Sequence, residues 1–164
     1  MVQVNPGRQI EMRTNASIRA ALFIGFAASP LYANAQSRDF KATTACLDSH
    51  NIATKSTRIP AANGAVEIFT WESAKATLMI SLTPSDSVNG AVMVVQPGGE
   101  LSSAVTVFSI LGSCLVGVDR KLVTLTMLKP GVSSLGGAYF THTEGRVTQM
   151  AVAWTKEDVK RLAK

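Results

Sequence analysis

The sequence predicts an α+β domain, and three observations carry that prediction. Residues 76–83 alternate between apolar and polar side chains, residues 101–118 form a long uncharged segment with a helical apolar stripe, and residues 138–154 read as two strands around a Glu144-Gly145 turn. The 164 residues are 46% hydrophobic and 16% charged, which excludes a disordered polyelectrolyte and a charged-helix coiled coil. Neither Gly nor Pro is abundant enough for a collagen-like or linker composition, and two cysteines do not make a cysteine scaffold.

The first elements are signals for export. Arg13 and Arg19 precede the apolar run Ala20-Ala21-Leu22-Phe23-Ile24-Gly25-Phe26-Ala27-Ala28, which a Ser29-Pro30 break separates from Ala33-Asn34-Ala35. Basic, apolar and small-residue parts in that order are those of a secretory signal, with Ala33 and Ala35 admitted by the peptidase and Gln36 the first residue of the mature chain. The apolar run is about half of the ~20 residues that a membrane-spanning helix needs. Met12-Arg13 makes a more usual start than Met1, so Met12 is an alternative first residue. Residues 1–35 are therefore expected to be a cleaved export signal and residues 36–164 a single α+β domain, periplasmic or secreted. Cleavage removes Arg8, Arg13, Arg19 and Glu11, which lowers the formal charge of +5. The cations left behind are scattered, so no nucleic-acid partner is expected.

In an oxidising compartment two thiols in one small domain are normally joined, and Cys46 and Cys114 are predicted to form a disulfide. Their loop of about 68 residues corresponds to on the order of 4 kcal/mol of chain entropy. No Cys-x-x-Cys spacing suggests a redox pair, and the residues before Cys46 are not the apolar run of a lipidation site. The processed protein is expected to carry no stable membrane anchor.

Along residues 36–164, a short helix is expected from Asp39 to about Thr54, with Phe40, Leu47 and Ile52 as its apolar residues. After Pro60 and Asn63-Gly64 come three strands, Ala65–Ser73, Ala76–Thr83 and Gly90–Gln96, which form a three-stranded antiparallel meander. The third strand is apolar on both faces, as a central strand covered on both sides would be. Glu100–Val118 is read as a buried central helix through the stripe Leu101, Val105, Phe108, Leu111, Leu115 and Val118. Its rival is a single membrane span over 101–118 followed by the basic flank Arg120-Lys121. Arg120–Lys129 suits a helix or a strand equally. A β-hairpin follows, Ala138–Thr143 with Val147–Trp154, and Thr155 with Asp158 forms a capping arrangement that opens a short C-terminal helix to Leu162.

Few residues offer chemistry. Only His50 and His142 are histidines, and the acidic groups are dispersed. Cys46-x-Asp48-x-His50 would present three metal ligands on one face of a strand, but a helix splays them, so no metal is expected. Leu111-Gly112-Ser113-Cys114-Leu115 lacks the second glycine of a nucleophile elbow. Gln96-Pro97-Gly98-Gly99-Glu100 lacks the Lys-Ser/Thr of a phosphate loop and reads as a strand-to-helix turn. A carboxylate pair would need Glu67 or Glu72 to meet Asp86, Asp119 or Glu144 in space. The aromatic residues Trp71, Tyr139 and Trp154, with His142, fall in or beside predicted strands, and Trp71, Tyr139 and His142 are the candidate recognition residues. The expectation is a non-enzymatic binding or inhibitor-type protein without cofactor, which recognises a protein partner of the cell envelope or a small apolar ligand. The alternative is a cell-envelope hydrolase that uses His142 with an acidic partner across the sheet.

Overall fold

The computed structural model describes residues 38–52, 55–129 and 131–164; the expected export signal, with Ala33, Ala35 and Gln36, lies outside the described residues. The elements run α1 (Phe40–Ser49), β1 (Thr57–Ala61), β2 (Gly64–Trp71), β3 (Ala76–Leu82), β4 (Val88–Val95), α2 (Leu101–Val116), α3 (Arg120–Met127), β5 (Gly131–Leu135), β6 (Ala138–Thr143), β7 (Thr148–Ala153) and α4 (Lys156–Leu162). The fold is α+β, but the strands form one seven-stranded antiparallel sheet, β1-β2-β3-β4-β7-β6-β5, instead of a meander and a separate hairpin. The expected meander is β2-β3-β4 and the expected hairpin is β6-β7. Each gains one outer strand, and β4 pairs with β7 through Val92↔Ala151 and Met93↔Met150.

Period-two alternation decides which side each strand residue faces. Leu78, Ile80 and Leu82 of β3, Met93 of β4, Phe140 of β6 and Met150 and Val152 of β7 point to one side, where Leu47 of α1, Phe108, Leu111 and Leu115 of α2, and Val123 and Met127 of α3 close the main core. On the reverse side Val92, Ala151 and Ala153 meet Val159 of α4, with Met79, Val94 and Tyr139 at the margin. Strand β4 is thus apolar on both faces because helices cover both, as its composition indicated.

Helix α1 is shorter than expected. Asp39 accepts from the N–H of Ala42 at 2.7 Å to start it, and it stops at Ser49, before Asn51 adopts a positive φ of 58°. Helix α2 ends at Val116, two residues before the expected end, where Gly117 turns left-handed at φ 67°. The rival membrane span is divided at that point: α3 is bent away from α2 by 116°, and no single helix among the described residues is long and apolar enough to cross a membrane. Within segment 120–129, open to either reading, Arg120–Met127 is helical because Asp119 caps it through the N–H of Lys121 at 2.7 Å and Val123 and Met127 turn inward one helical turn apart. In α4, Thr155 Oγ1 accepts from the N–H of Asp158 at 3.0 Å, the expected cap.

Gly112 sits where α2 meets α3 and β6. A Cβ there would stand 2.7 Å from Val123 Cγ1 and 3.0 Å from Phe140 Cε1, so the close approach requires glycine despite its cost within a helix. The predicted disulfide is present: Cys46 joins α1 to Cys114 of α2 with their Cα atoms 5.9 Å apart. A bond of this kind fits an oxidising, extracytoplasmic compartment.

Candidate binding site

Two main-chain clamps at one end of the sheet make a cavity. The turn between β2 and β3 closes on itself through Lys75 N–H to Glu72 O at 3.1 Å. It is held against the approach to α2 by Gln96 N–H to Lys75 O and Glu100 N–H to Ala74 O, both 3.0 Å. Gly99 permits this contact, since a Cβ there would lie 2.6 Å from the Ala74 carbonyl oxygen. Between the turn and the first two turns of α2 is a cavity of about 190 Å³. Ala74, Ala76 and Ala104 leave its floor open down to Met93, Trp71 and Val107 form walls, and Ser73, Ser103 and Glu100 carry polar groups to its edge. The Trp71 indole is stacked near Phe69, with ring centroids 6.3 Å apart and planes 14° from parallel. Glu100 receives a hydrogen bond from Ser102 Oγ at 3.5 Å, a length at which it is weak, and among the described residues it is the one charged residue lining the cavity.

The other sequence candidates lie elsewhere and do not join Trp71 in a patch. Tyr139 belongs to β6, which β3, β4 and β7 separate from β2, and it faces the α4 side of the sheet. There it borders a shallow depression with Ser134, Leu135, Gly136 and Gly137. His142 alternates with Tyr139 and so faces the helical layer; its side chain is 13% exposed and its buried Nε2 makes no hydrogen bond. The nearest acid is Glu144 Oε1 at 3.7 Å, two residues on at the end of the same strand instead of across the sheet. Trp154 follows β7 and lies under the Arg38 guanidinium, 4.5 Å from its ring centroid.

Cys46, Asp48 and His50 are carried by α1 and its C-cap, with the Cys46 sulfur in the disulfide, and no group of three such residues is placed to hold a metal ion among the described residues. Gln96–Glu100 is the strand-to-helix turn its composition indicated, with Gly98 at φ 71°. Ser113, next to Gly112, donates its hydroxyl to Val118 O at 2.6 Å, which occupies it as a helix-end bond.

Sequence reasoning missed one polar cluster. Glu67, 5% exposed, accepts from Ser56 Oγ at 2.6 Å and from Arg58 Nε, while Arg58 also reaches Asp86 Oδ1 at 3.1 Å and lies over the Phe40 ring. Hydrogen bonding to Glu67 raises the Arg58 pKa above its ordinary value, with the charges of Asp86 and Glu67 adding to the effect against a desolvation penalty. Glu67 and Asp86 do come together, but through a shared guanidinium that bridges them, so the cluster fastens β1, β2 and the β3–β4 turn instead of forming an acid–base pair. Only its alternation with Phe69, at the same strand face, could have marked Glu67 as inward-facing.

Set beside known protein families, curated proteins and solved structures, the chain finds no match.

Proposed function

We propose that this chain is an exported recognition protein, periplasmic or secreted, which takes one small and mostly apolar group into the Trp71 cavity. That group is a small ligand or the side chain of an envelope protein that the domain restrains. The observation that carries the reading is the cavity itself: an aromatic wall and an alanine floor favour an apolar body, and the weakly bonded Glu100 carboxylate at the edge favours a cationic or hydrogen-bond-donating end. A volume of about 190 Å³ suits a group of roughly amino-acid side-chain size. Titration of the full chain carrying Trp154→Phe, so that Trp71 is the sole indole, with small aromatic and alkyl amines should quench or shift its fluorescence. Ser103→Leu, at the cavity mouth, should abolish that response. A Trp71 signal indifferent to the whole panel, or equal in the Ser103→Leu protein, would remove this reading.

The hydrolase reading keeps one observation, the proximity of Glu144 to His142. It predicts that His142→Ala abolishes any cleavage of envelope substrates the protein performs, and retention of that activity would exclude it.

A further inference from the structure

We propose that α3 docks this protein reversibly onto an anionic lipid surface. Leu122, Leu125 and Leu128 are 49%, 59% and 59% exposed, the most exposed large apolar side chains described. At about 100° per residue Leu122 and Leu125, with Lys121 and the C-cap Leu128, which keeps helical φ and ψ, occupy one arc of roughly 120° on the outside of the helix, opposite Val123, and Lys129 follows directly after. Val123 and Met127 meanwhile fill the core, so α3 is apolar on its inner side and on its outer side for different reasons.

The charge around this stripe is mainly positive, three cations against the N-cap Asp119. Arg120, Lys121 and Lys129 are exposed and make no ion pair among the described residues, while Asp119 accepts from the main-chain N–H of Lys121. Exposed leucines flanked by cations without an ion-pair partner among the described residues suit a phosphate-rich boundary. The leucines enter the headgroup region, and the lysine stems lie along them while their ammonium groups reach the lipid phosphates. A protein partner is less well matched, because interface anchors are enriched in Trp, Tyr and Arg whereas lysine is depleted there. Two leucines within α3 and a third at its C-cap give shallow, exchangeable attachment, in keeping with the lack of any helix long and apolar enough to cross a membrane among the described residues.

The test is sedimentation of the full chain with sucrose-loaded vesicles of phosphatidylcholine, with and without about one-third phosphatidylglycerol. Every variant keeps the same N-terminus, so the apolar segment near Leu22 contributes equally to all. The wild-type protein should bind the anionic vesicles more strongly than the neutral ones and release with salt. Lys121→Gln with Lys129→Gln should weaken anionic binding about fivefold per lysine and leave neutral binding unchanged. Leu122→Ser/Leu125→Ser/Leu128→Ser should weaken both by roughly tenfold or more. Leu125→Ser alone, at a site too exposed to threaten folding, should show a smaller loss in the same direction. Equal binding by wild type and triple variant would place the lipid affinity elsewhere in the chain and overturn the proposal. So would wild-type protein that binds neither vesicle, or a dimer in light scattering that Leu125→Ser converts to monomer, which would assign the stripe to a second copy.

Discussion

Replacing Cys46 and Cys114 together by serine removes the link between α1 and α2 while leaving the other ties of α1 in place. Leu47 stays in the main core, Asp39 still caps the helix, and Phe40 N–H still donates to Asp86 O at 3.0 Å. The cost should therefore arise mainly in the unfolded chain, which regains the freedom of a loop whose ends are 68 residues apart. For a loop of that length the entropy lost to the cross-link corresponds to about 4 kcal/mol at 25 °C, against a total stability of roughly 5–15 kcal/mol for a domain of this size. Urea unfolding of both proteins followed by tryptophan fluorescence measures the difference. The double variant should lose about 3–4 kcal/mol and show a steeper dependence on urea, because its unfolded chain is more expanded. A loss below about 1 kcal/mol would refute the reasoning, either because the bond does not form or because the unfolded chain is already compact around it.

Two further perturbations probe the packing and the buried charge. Gly112→Ala gains about 1 kcal/mol of helix propensity but drives a methyl group into Val123 and Phe140, both fully buried; the overpacking should prevail and lower stability by about 1–2 kcal/mol, seen as a reduced Tm, and an unchanged or raised Tm would contradict the tight crossing. Arg58→Ala should destabilise the protein at neutral pH by leaving the buried Glu67 carboxylate with only Ser56. Since the folded-state pKa of Arg58 is raised, its contribution is fully present below the ordinary guanidinium value and fades only as pH rises through the raised one, so Arg58 itself does not titrate away in the working range. The Arg58→Ala deficit in urea midpoint should therefore stay constant between about pH 6 and pH 9, and a deficit that disappeared within that range would sink the assignment.

The parts of the fold that could be read from the sequence are those whose pattern lies within one segment. Leu78, Ile80 and Leu82 announce β3 by alternation, Phe108, Leu111 and Leu115 announce α2 by helical spacing, and Thr155 announces α4 by its capping hydroxyl. Edge strands carry no such signal. All five residues of β1 are exposed and include Pro60, which is confined to edges, and β5 is Gly131-Val-Ser-Ser-Leu135 with a small or polar majority; each is a strand only because its neighbour offers a ladder. Helix α3 was ambiguous because Leu122, Val123, Leu125 and Met127 satisfy two periods, and a cap plus one inward pair decides between them. Trp71 was legible as a candidate, but the cavity beside it was not. That space depends on Ala74 of a turn, Met93 of β4 and Glu100 of α2 being brought together by main-chain bonds that no local motif encodes.

The pairing of β4 with β7 also dictates what a ribosome or a translocation channel releases, and when. Strand β4 leaves well before its second neighbour, with α2, α3, β5 and β6 still to come. In that interval Val88–Val95 offers a bare row of amides and carbonyls between two apolar faces, a template onto which another nascent copy could add a strand. The hazard ends only when the last stretch of chain arrives, so a polypeptide cut short anywhere between Gln96 and Thr148 should be far more prone to form insoluble aggregates than one that keeps its final strand.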